Sequence, residues 1–397
     1  MFSMIFLYLV CIGLLWWVYC GYIYYLFLYN LFRRSADNRL QIEHYPKLAV
    51  LVPFYNESEW IEEKFNNLVE LAYPPDRLSF VFIDGGSTDG SREKIQRLVD
   101  GQESPERFVL MRSRVQGRTH QLNEAMQTVQ ADILVQTDVD SLLEKDCLLW
   151  MINEFQKDPK IGVVGAYIQP LKATPLETKY WAYQNLIRWL ESNTYSTSIV
   201  IGPCYAFRSC LIREFPEDCA ADDIYTCFWA NAGGWKAKYL FEAKGYELRT
   251  PRDIFELLRH KFRKSNGYII ELLRFCYRFP TFNTRWKIIY FTKILQILWI
   301  PFLLLFLAML SLNFALIGLT YLALVGCMMV FMLANLLATS LLLKINLGKI
   351  DSKKLKGGMI TSFLYTNFIL FFSVLSYWFF FQHDKPEKVN WSKEKQV

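Results

Sequence analysis

The sequence predicts an α/β protein in which a polar domain, built on a mostly parallel sheet with helices on both faces, is joined to membrane helices. Three observations predict this architecture. Hydrophobic residues make up 53% of the 397 residues, yet 21% of the residues are charged, so polar and apolar segments must be segregated. Long apolar runs lie near both ends of the chain. Between them, short β-type runs alternate with polar helix-forming stretches, as in a parallel sheet.

The charge distribution argues against nucleic-acid binding. The net charge of +6 is small for a chain of this length, and many basic residues stand beside apolar runs, as at Arg33, Arg34 and Lys344. Nucleic-acid binding needs basic residues concentrated on one face of a folded domain, whereas this placement is typical of membrane-topology signals. Nine cysteines without CxxC or CxxxH spacing predict neither a zinc site nor a disulfide framework.

The first element is an apolar segment over residues 1–31 that ends just before Arg33 and Arg34. It is long enough to cross a bilayer core of about 30 Å, and it lacks the short apolar stretch ending in small residues that marks a cleaved signal peptide. We predict a transmembrane anchor. Because basic residues flank the cytoplasmic ends of spans, the domain that follows is predicted to be cytoplasmic.

The central domain is predicted over residues 45–250. Its predicted strands are Leu48–Pro53, Ser79–Asp84, Phe108–Arg112, Ile133–Asp138 and Ile161–Ala166, and its predicted helices include Glu59–Leu71, Ser91–Val99 and Thr119–Val129. Ligands of such sheets bind beyond the carboxyl ends of the strands. Polar residues follow three of these strands, with Asn56-Glu57 after the first, Asp84 ending the second, and Asp138 and Asp140 near the end of a later one.

Residues 251–284 mix apolar and basic positions near helical spacing, which predicts amphipathic helices in the membrane interface. Residues 285–383 predict three transmembrane helices, at about 288–310, 316–343 and 359–381, and residues 384–397 form a polar tail. With the anchor, this gives a multi-pass protein of the cell membrane with four spans. Four spans put the tail outside although it contains several lysines, so the topology of the C-terminal end stays open.

The strongest chemical signal is Thr137-Asp138-Val139-Asp140 at the end of an apolar run. Two carboxylates on a strand-end turn suit a divalent cation, and such an ion can hold a diphosphate. A solvated turn is the alternative for a lone DxD pattern.

Other motifs stand around this pattern in a fixed order. They are Leu51-Val52-Pro53-Phe54-Tyr55-Asn56-Glu57, Phe82-Ile83-Asp84-Gly85-Gly86-Ser87-Thr88-Asp89-Gly90, Gly117-Arg118 with Leu122-Asn123, Gly202-Pro203-Cys204-Tyr205-Ala206-Phe207-Arg208, Ala221-Asp222-Asp223-Ile224 and Gly234-Trp235. The ordered series, over roughly Lys47 to Lys264, closely resembles family 2 glycosyltransferases, which have the GT-A nucleotide-diphospho-sugar transferase fold. It is similar both to polysaccharide synthases, such as cellulose, hyaluronan and poly-N-acetylglucosamine synthases, and to ceramide glucosyltransferases.

The resemblance implies roles for matching positions. On the donor side it implies contacts from Pro53, Tyr55, Glu57, Asp84, Arg118 and Asp138, with Asp84 matching the carboxylate that hydrogen-bonds the uracil ring. Asp140 becomes the direct ligand of Mg²⁺ or Mn²⁺. Asp223 matches the general base, with Asp222 replacing the family's Glu. On the acceptor side the resemblance implies Gly202, Tyr205, Asp222 and Trp235. A helix-terminal carboxylate pair is the alternative for Asp222 and Asp223.

The last motif departs from the family pattern. Membrane-embedded relatives carry Gln-x-x-Arg-Trp, whereas this chain has His260, Arg263 and Lys264 at the Gln, Arg and Trp positions. Arg259 and Arg263 are one helical turn apart, so both are predicted to face the donor diphosphate. Attraction of the basic cluster to anionic lipid headgroups is the alternative. The missing Trp removes an aromatic platform for the acceptor sugar in processive enzymes.

The predicted function is inverting, metal-dependent transfer of a sugar from a nucleotide sugar, expected to be a UDP-sugar, to a membrane-held acceptor at the cytoplasmic face. A lipid is the preferred acceptor because of the altered last motif. A processive synthase that extends a glycan is the first alternative. A non-catalytic membrane scaffold with a glycosyltransferase-like domain is the second, and the retention of Asp84, Asp140 and Asp223 argues against it.

Overall fold

The computed structural model describes residues 2–32, 39–172, 174–249 and 254–317, helical positions scattered between 326 and 341, and residues 367–375. The strands are β1 (Leu48–Phe54), β2 (Leu78–Asp84), β3 (Phe108–Arg112), β4 (Ile133–Thr137), β5 (Ser141–Leu143), β6 (Ile161–Pro170), β7 (Cys204–Arg208) and β8 (Lys236–Glu247). The helices are α1 (Phe2–Trp16), α2 (Tyr22–Leu31), α3 (Ile61–Val69), α4 (Ser91–Asp100), α5 (Arg118–Thr128), α6 (Cys147–Lys157), α7 (Pro175–Thr194), α8 (Asp222–Ala232), α9 (Ile254–Arg274), α10 (Thr284–Ile294) and α11 (Ile300–Ile317).

The eight strands form one sheet in the order β3-β2-β1-β4-β7-β6-β8-β5. Strands β1 to β4 are mutually parallel, and β6 is parallel to β8. Strand β7 is antiparallel to both of its neighbours, and β5 is antiparallel to β8. The predicted α/β class is therefore confirmed, with a mixed sheet whose antiparallel members the alternating pattern did not predict.

Helix α3 shows how the sequence produces this packing. Ile61, Phe65 and Leu68 recur at helical spacing and are fully buried. The ring of Phe65 stacks on Phe82 of β2 and Phe108 of β3, with centroids 5.7 and 5.1 Å away. Burial of each such side chain stabilises the fold by about 1.5–3 kcal/mol. The helix is thereby fixed against the face of the sheet formed by β2 and β3.

Strand register brings four loops to one edge of the sheet. Phe54 at the end of β1 lies beside Asp84 at the end of β2. Because β7 runs antiparallel to β4, the residues that precede β7 reach the same edge, and the amide of Asp138 donates to the carbonyl of Pro203 (3.2 Å). The first, second, fourth and seventh strands therefore deliver their polar loops to a common place.

Within the part of the chain that the structure describes, two helices are long and apolar enough to cross a membrane, Ile5–Leu31 with 27 residues and Thr284–Leu312 with 29. Each contains a π-helical segment, Trp17–Gly21 in the first and Leu295–Trp299 in the second. Nε1 of Trp17 donates to Oγ1 of Thr292 (3.0 Å), so the two helices are also joined by a hydrogen bond. We call Thr284–Leu312 the second apolar helix.

Helix α7 fastens both apolar helices to the domain through Glu191. This fully buried carboxylate accepts a hydrogen bond from the hydroxyl of Tyr22 in the first helix (2.7 Å) and pairs with Nζ of Lys293 in the second (2.9 Å). The amide and hydroxyl of Ser198 also donate to it. Removal of one partner from such a buried network is costly because the other charge stays desolvated.

The structure bears only in part on the other predicted membrane segments. The predicted spans at 316–343 and 359–381 lie largely outside the described residues, and the tail at 384–397 lies wholly outside them. Between residues 254 and 281 the structure has the single helix α9 followed by a 3₁₀ turn. Ile269, Leu272 and Phe275 are fully buried, and the ring of Phe275 packs on Phe228 of α8 (5.8 Å). Packing on the domain thus accounts for apolar positions that the sequence assigned to the membrane interface.

Candidate active site

A cavity of ≈ 790 Å³ opens at the carboxyl edge of the sheet and extends between α7, α9 and the second apolar helix. Most of the predicted site residues line it: Pro53, Tyr55, Glu57, Arg118, Asp138, Asp140, Gly202, Asp222, Asp223, Arg259 and Arg263. Three of the predicted residues, Asp84, Tyr205 and Trp235, do not line it.

Asp84 is buried beside this cavity and is held by its own turn. Its Oδ1 accepts hydrogen bonds from the amides of Gly86 (3.1 Å) and Ser87 (2.8 Å). Its Oδ2 is buried and has no hydrogen-bond partner among the described residues. An unpaired buried acceptor is unfavourable, so the second carboxylate oxygen of Asp84 is suited to a donor from a bound molecule.

Arg118 joins the two carboxylate motifs of the site. Its Nη1 contacts Oδ1 of Asp138 (2.6 Å), its Nε contacts Oδ1 of Asp222 (3.0 Å), and its Nη2 reaches the carbonyl of Gly202 (3.4 Å). Burial alone would raise the pKa of Asp138, but the charge of Arg118 and its hydrogen bond outweigh burial and lower that pKa. Arg118, predicted to contact the donor, is thus engaged in positioning the protein's own carboxylates.

Asp140 has a different environment. Its Oδ2 lies 3.4 Å from Nε of Arg249, and the same guanidinium pairs with Glu57. Burial, then the charge of Asp138, raises the pKa of Asp140, and Arg249 offsets part of this rise. The backbone carbonyl of Asp140 is fixed by the amide of Leu248 (2.7 Å).

The donor set around Asp140 fits a hard cation that completes its coordination from a ligand. No group of three His, Cys, Asp or Glu side chains among the described residues converges closely enough to hold an ion by itself. Asp140 and Glu57 nevertheless present carboxylate oxygens on either side of Arg249. Mg²⁺ is commonly bound by one or two carboxylates plus substrate phosphates and water, which is the arrangement this set allows.

Asp223 stands in the first turn of α8 and faces the same space. Its Oδ2 accepts from the amide of Gly202 (3.0 Å) and its Oδ1 from the amide of Ile224 (2.9 Å). A helix N-terminus normally favours the charged form. Here burial, followed by the charge of Asp222, raises the pKa of Asp223 to about 6. A carboxylate with this pKa is ionised near neutral pH and is a stronger base than an exposed Asp.

Gly202 lies at the centre of these groups. A Cβ atom at this position would stand 3.6 Å from Nη2 of Arg118, 3.7 Å from Oδ2 of Asp223 and 3.8 Å from Oδ2 of Asp138. The carboxylates of both motifs therefore face one another across the small space that a glycine leaves open.

Two predicted acceptor-side residues have other surroundings. Tyr205 is fully buried, and its hydroxyl donates to Oδ2 of Asp222 (2.7 Å), so it orients a site carboxylate from behind. Trp235 lies at the start of β8, and its side chain stands against Gly162 and Gly233. The loop after α8 turns this indole toward the amino end of β6, away from the cavity, which sequence order alone did not reveal.

Lys64, on α3, is a residue that the sequence analysis missed. It is fully buried, and its Nζ donates to Oγ1 of Thr137 (2.8 Å) and to the carbonyl of Ser141. One turn later, the side-chain amide of Asn67 pairs with both backbone groups of Leu143 (2.8 Å each). Burial lowers the pKa of Lys64 to about 8. Helix α3 thus clamps both ends of the turn that contains Asp138 and Asp140.

We expect Lys64→Met to weaken the use of a divalent cation, because the substitution removes both hydrogen bonds beneath the turn but preserves most of the side-chain volume. Loss of such a supporting contact typically lowers metal affinity or activity by about 10- to 100-fold. Donor turnover at varied Mn²⁺ concentration measures the effect, with Lys157→Met as a control, since Lys157 forms a partly exposed pair with Glu154. An unchanged Mn²⁺ dependence in folded Lys64→Met protein would contradict this role.

Aromatic and basic residues of α7 and α9 form the other wall of the cavity, and the sequence analysis missed most of them. Tyr180, Trp181 and Arg188 contribute from α7, and Lys261 and Lys264 from α9. The Nζ atom of Lys264 lies 5.8 Å from the centre of the Trp181 ring. An aromatic ring of α7 thus stands beside the lysine at position 264. The helical spacing of residues 180–188 could have predicted that they share one face of a helix. It could not have predicted which element packs against that face.

The profile of the family described as "Glycosyl transferase family 2" matches residues 49–219. That range contains the turn with Asp138 and Asp140, the Asp84 motif and Gly202. The chain contains a glycosyl transferase family 2 domain. The predicted resemblance and the predicted enzyme class, a glycosyltransferase, are confirmed.

Curated relatives of this glycosyltransferase include poly-beta-1,6-N-acetyl-D-glucosamine synthases. The protein of that name from Staphylococcus aureus strain COL is 25% identical over 322 residues, which cover 77% of this chain and 75% of the relative. The protein of that name from Staphylococcus epidermidis is 24% identical over 320 residues, which cover 78% of this chain and 76% of the relative. The similarity therefore extends well beyond the family 2 domain.

Among solved structures, the glycosyltransferase is similar to the mannosyltransferase PcManGT from Pyrobaculum calidifontis in complex with GDP-Man and Mn²⁺. The TM-score is 0.64 at 24% identity, and the match covers 90% of this chain and 98% of the other. This likeness confirms the GT-A-type fold. Its coverage also means that the helices flanking the domain take part in the match.

Proposed function

We propose that the glycosyltransferase moves a sugar from a UDP-sugar to a lipid acceptor at the cytoplasmic face of a membrane. One observation carries the proposal: a single cavity is lined both by Asp138, Asp140 and Asp223 and by Gln296 and Ile297 of the second apolar helix. A nucleotide sugar entering from water and an acceptor held at the membrane can therefore meet in one space. Lipid-embedded acceptors need such a connection, because their chains stay in the bilayer.

The donor base is proposed to pair with Asp84. Its buried Oδ2 has no hydrogen-bond partner among the described residues and can accept a hydrogen bond from the ring of a base. Uracil and guanine each present a ring N–H at neutral pH, whereas adenine and cytosine do not. A UDP-sugar is the first candidate and a GDP-sugar the second. Nucleotide release from a panel of donors tests this assignment: an adenosine- or cytidine-linked donor that outperforms both would contradict it.

The transfer is proposed to be a single displacement. The acceptor hydroxyl oxygen bonds to the anomeric carbon while the bond from that carbon to the diphosphate oxygen breaks, and Asp223 takes the hydroxyl proton. The nucleoside diphosphate leaves, and one displacement inverts the anomeric centre. Gly202 contributes in two ways, since its amide holds Oδ2 of Asp223 and its missing side chain leaves room for the hydroxyl.

A divalent cation, Mg²⁺ or Mn²⁺, is the proposed cofactor. Asp140 would hold it with Glu57 close by, and the bound ion would supply positive charge that stabilises the departing diphosphate. Arg249 must then release these two carboxylates. Arg259 and Arg263, both exposed on α9 and lining the cavity, are proposed to contact the same diphosphate.

The pKa of Asp223 predicts a pH dependence of transfer. A general base must be deprotonated, so log kcat/KM is expected to rise with a slope near 1 up to about pH 6 and then to level. Lys264 and Arg118 face Asp223 and favour its charged form, and Asp222 disfavours it. Initial rates between about pH 4.5 and 8, a range that spans one titration, measure the profile. Asp223→Glu should move the inflection; an inflection that does not move belongs to another group.

A processive synthase that extends a glycan is the second candidate. The observation that favours it is the 25% identity to poly-beta-1,6-N-acetyl-D-glucosamine synthases over 77% of the chain. Against it, Lys264 stands where processive relatives have an aromatic platform. The two candidates predict different product masses, a single added sugar or a ladder.

A further inference from the structure

Part of the cavity lining differs chemically from the strand-end loops. We call it the inner chamber and define it by Trp181 and Arg188 of α7, Lys261 and Lys264 of α9, and Gln296 of the second apolar helix. None of these residues belongs to the strand-end loops that bring Asp84, Asp138 and Asp140 to the sheet edge. Gln296 lies in the π-helical segment of its helix, and such segments frequently occur at functional sites.

Three cations surround one indole in this chamber. Arg188 lies 5.5 Å from the centre of the Trp181 ring, Lys261 lies 4.7 Å from it and Lys264 lies 5.8 Å from it. Lys261 also lies 4.5 Å from the ring centre of Tyr180. Aromatic faces attract each cation, but three like charges so close together repel one another. The arrangement is most stable when an anion lies among them.

Arg188 is one of the two buried cations that point to such an anion. It is 9% exposed, and its Nη1 donates to the side chain of Asn185 (2.7 Å). Its Nε is buried and has no hydrogen-bond partner among the residues that the structure describes. A guanidinium donor without an acceptor in a desolvated site is unfavourable, and a phosphate oxygen is the acceptor that this group binds best.

The neighbouring cations support the same conclusion. Lys261 is 7% exposed, and burial followed by the charge of Lys264 lowers its pKa to about 7. Lys293, which also lines the cavity, is already neutralised by Glu191. Glu247, which also lines the cavity, offsets part of the charge of Lys261 and Lys264, so Arg188 with its unpaired Nε is the cation that most needs an anion.

We propose that the acceptor is an anionic lipid whose headgroup phosphate is bound by Arg188, Lys261 and Lys264 in the inner chamber. The hydrocarbon chain leaves past Ile297 toward the bilayer, and the phosphate itself does not react. A hydroxyl of the sugar linked to that phosphate attacks the donor. This inference rests on the proposed function, since it identifies the class of acceptor for the same site.

A matched pair of acceptors tests this. One is a long-chain alkyl glycoside, and the other is the same glycoside joined to the chain through a phosphate. Wild-type protein is expected to use the phosphate-linked acceptor with a kcat/KM roughly 10- to 100-fold higher than that for the plain glycoside. One or two charge-assisted hydrogen bonds account for a difference of this size. Arg188→Met and Lys261→Met are expected to collapse that ratio toward 1. Arg285→Met is the control and should keep the ratio, because Arg285 is a basic residue of α10 that packs on Tyr29 and does not line the cavity.

The possible failures are distinguishable. Equal use of both acceptors by the wild type, or a ratio that survives Arg188→Met and Lys261→Met in folded protein, overturns the inference but leaves the proposed function standing. Titration with the nucleoside diphosphate and Mn²⁺ gives a further check: an equal loss of nucleotide affinity in both variants would assign these cations to the donor and overturn the inference. Absence of transfer to any acceptor, with no donor turnover, refutes the proposed function itself.

Discussion

Asp223→Asn is expected to lower kcat for sugar transfer by about 10²- to 10⁴-fold, the usual contribution of a general base. The amide cannot take the proton of the acceptor hydroxyl. Its oxygen can still accept the hydrogen bond from the amide of Gly202 (3.0 Å in the wild type), so donor binding should be retained. Loss of the buried charge favours the variant, whereas the Asn NH2 group cannot accept the hydrogen bond from the amide of Ile224 (2.9 Å in the wild type), so the thermal midpoint should stay close to that of the wild type.

Single-turnover rates, donor KM and the thermal unfolding midpoint measure this prediction together. Asp76→Asn is the control, since the side chain of Asp76 is 75% exposed and pairs with Arg77. Transfer by Asp223→Asn at the wild-type rate would refute the proposed base. A large rise in donor KM with kcat unchanged would mean that Asp223 binds the donor instead.

Asp140→Asn is expected to lower transfer by roughly 100- to 1,000-fold through loss of electrostatic stabilisation of the leaving diphosphate. Asp140 is the carboxylate of its motif that remains for a cation, because Asp138 is paired with Arg118 at 2.6 Å. Removal of its charge also frees Arg249 to pair with Glu57 alone. Nucleotide-dependent Mn²⁺ binding, followed by electron paramagnetic resonance, gives a readout other than activity.

The matched control for this second substitution is Asp158→Asn, which removes a carboxylate that pairs with Lys236 (2.7 Å) away from the cavity. It should leave Mn²⁺ binding unchanged. If Asp140→Asn bound Mn²⁺ and nucleotide as the wild type does, the metal assignment would be wrong. Activity that stayed high without any divalent cation would contradict it as well.

Much of the fold was predictable from local pattern. The strands β1 to β4 and β6 were predicted to within a few residues because each is a short apolar run bounded by polar helix-forming stretches. Strand β7 was not, since its direction is set by pairing with β4 and β6 and not by its own sequence. The antiparallel direction of β7 matters for function, because it brings Gly202 beside Asp138.

Site residues could be predicted where residue type and motif order identify them. They could not be predicted where only the packing of distant elements brings a residue into the site. Lys64 reads as a solvent-facing residue of an amphipathic helix that also contains Glu62 and Glu63, yet it is fully buried beneath the turn with Asp140. Arg188 likewise reads as an ordinary helical arginine. Its burial beside Tyr239 of β8 (6.0 Å to the ring centre) follows from the packing of α7, which no local pattern encodes.

The most direct measurement of the central claim is product mass after incubation of the detergent-purified protein with Mn²⁺ and membrane lipid extract. UDP- and GDP-sugars should be supplied in parallel. The account predicts metal-dependent release of one nucleoside diphosphate and lipid that is heavier by a single sugar. A ladder of sugar masses would contradict the single-transfer account and favour a polysaccharide synthase. No turnover of any donor by folded protein would contradict the proposed activity itself.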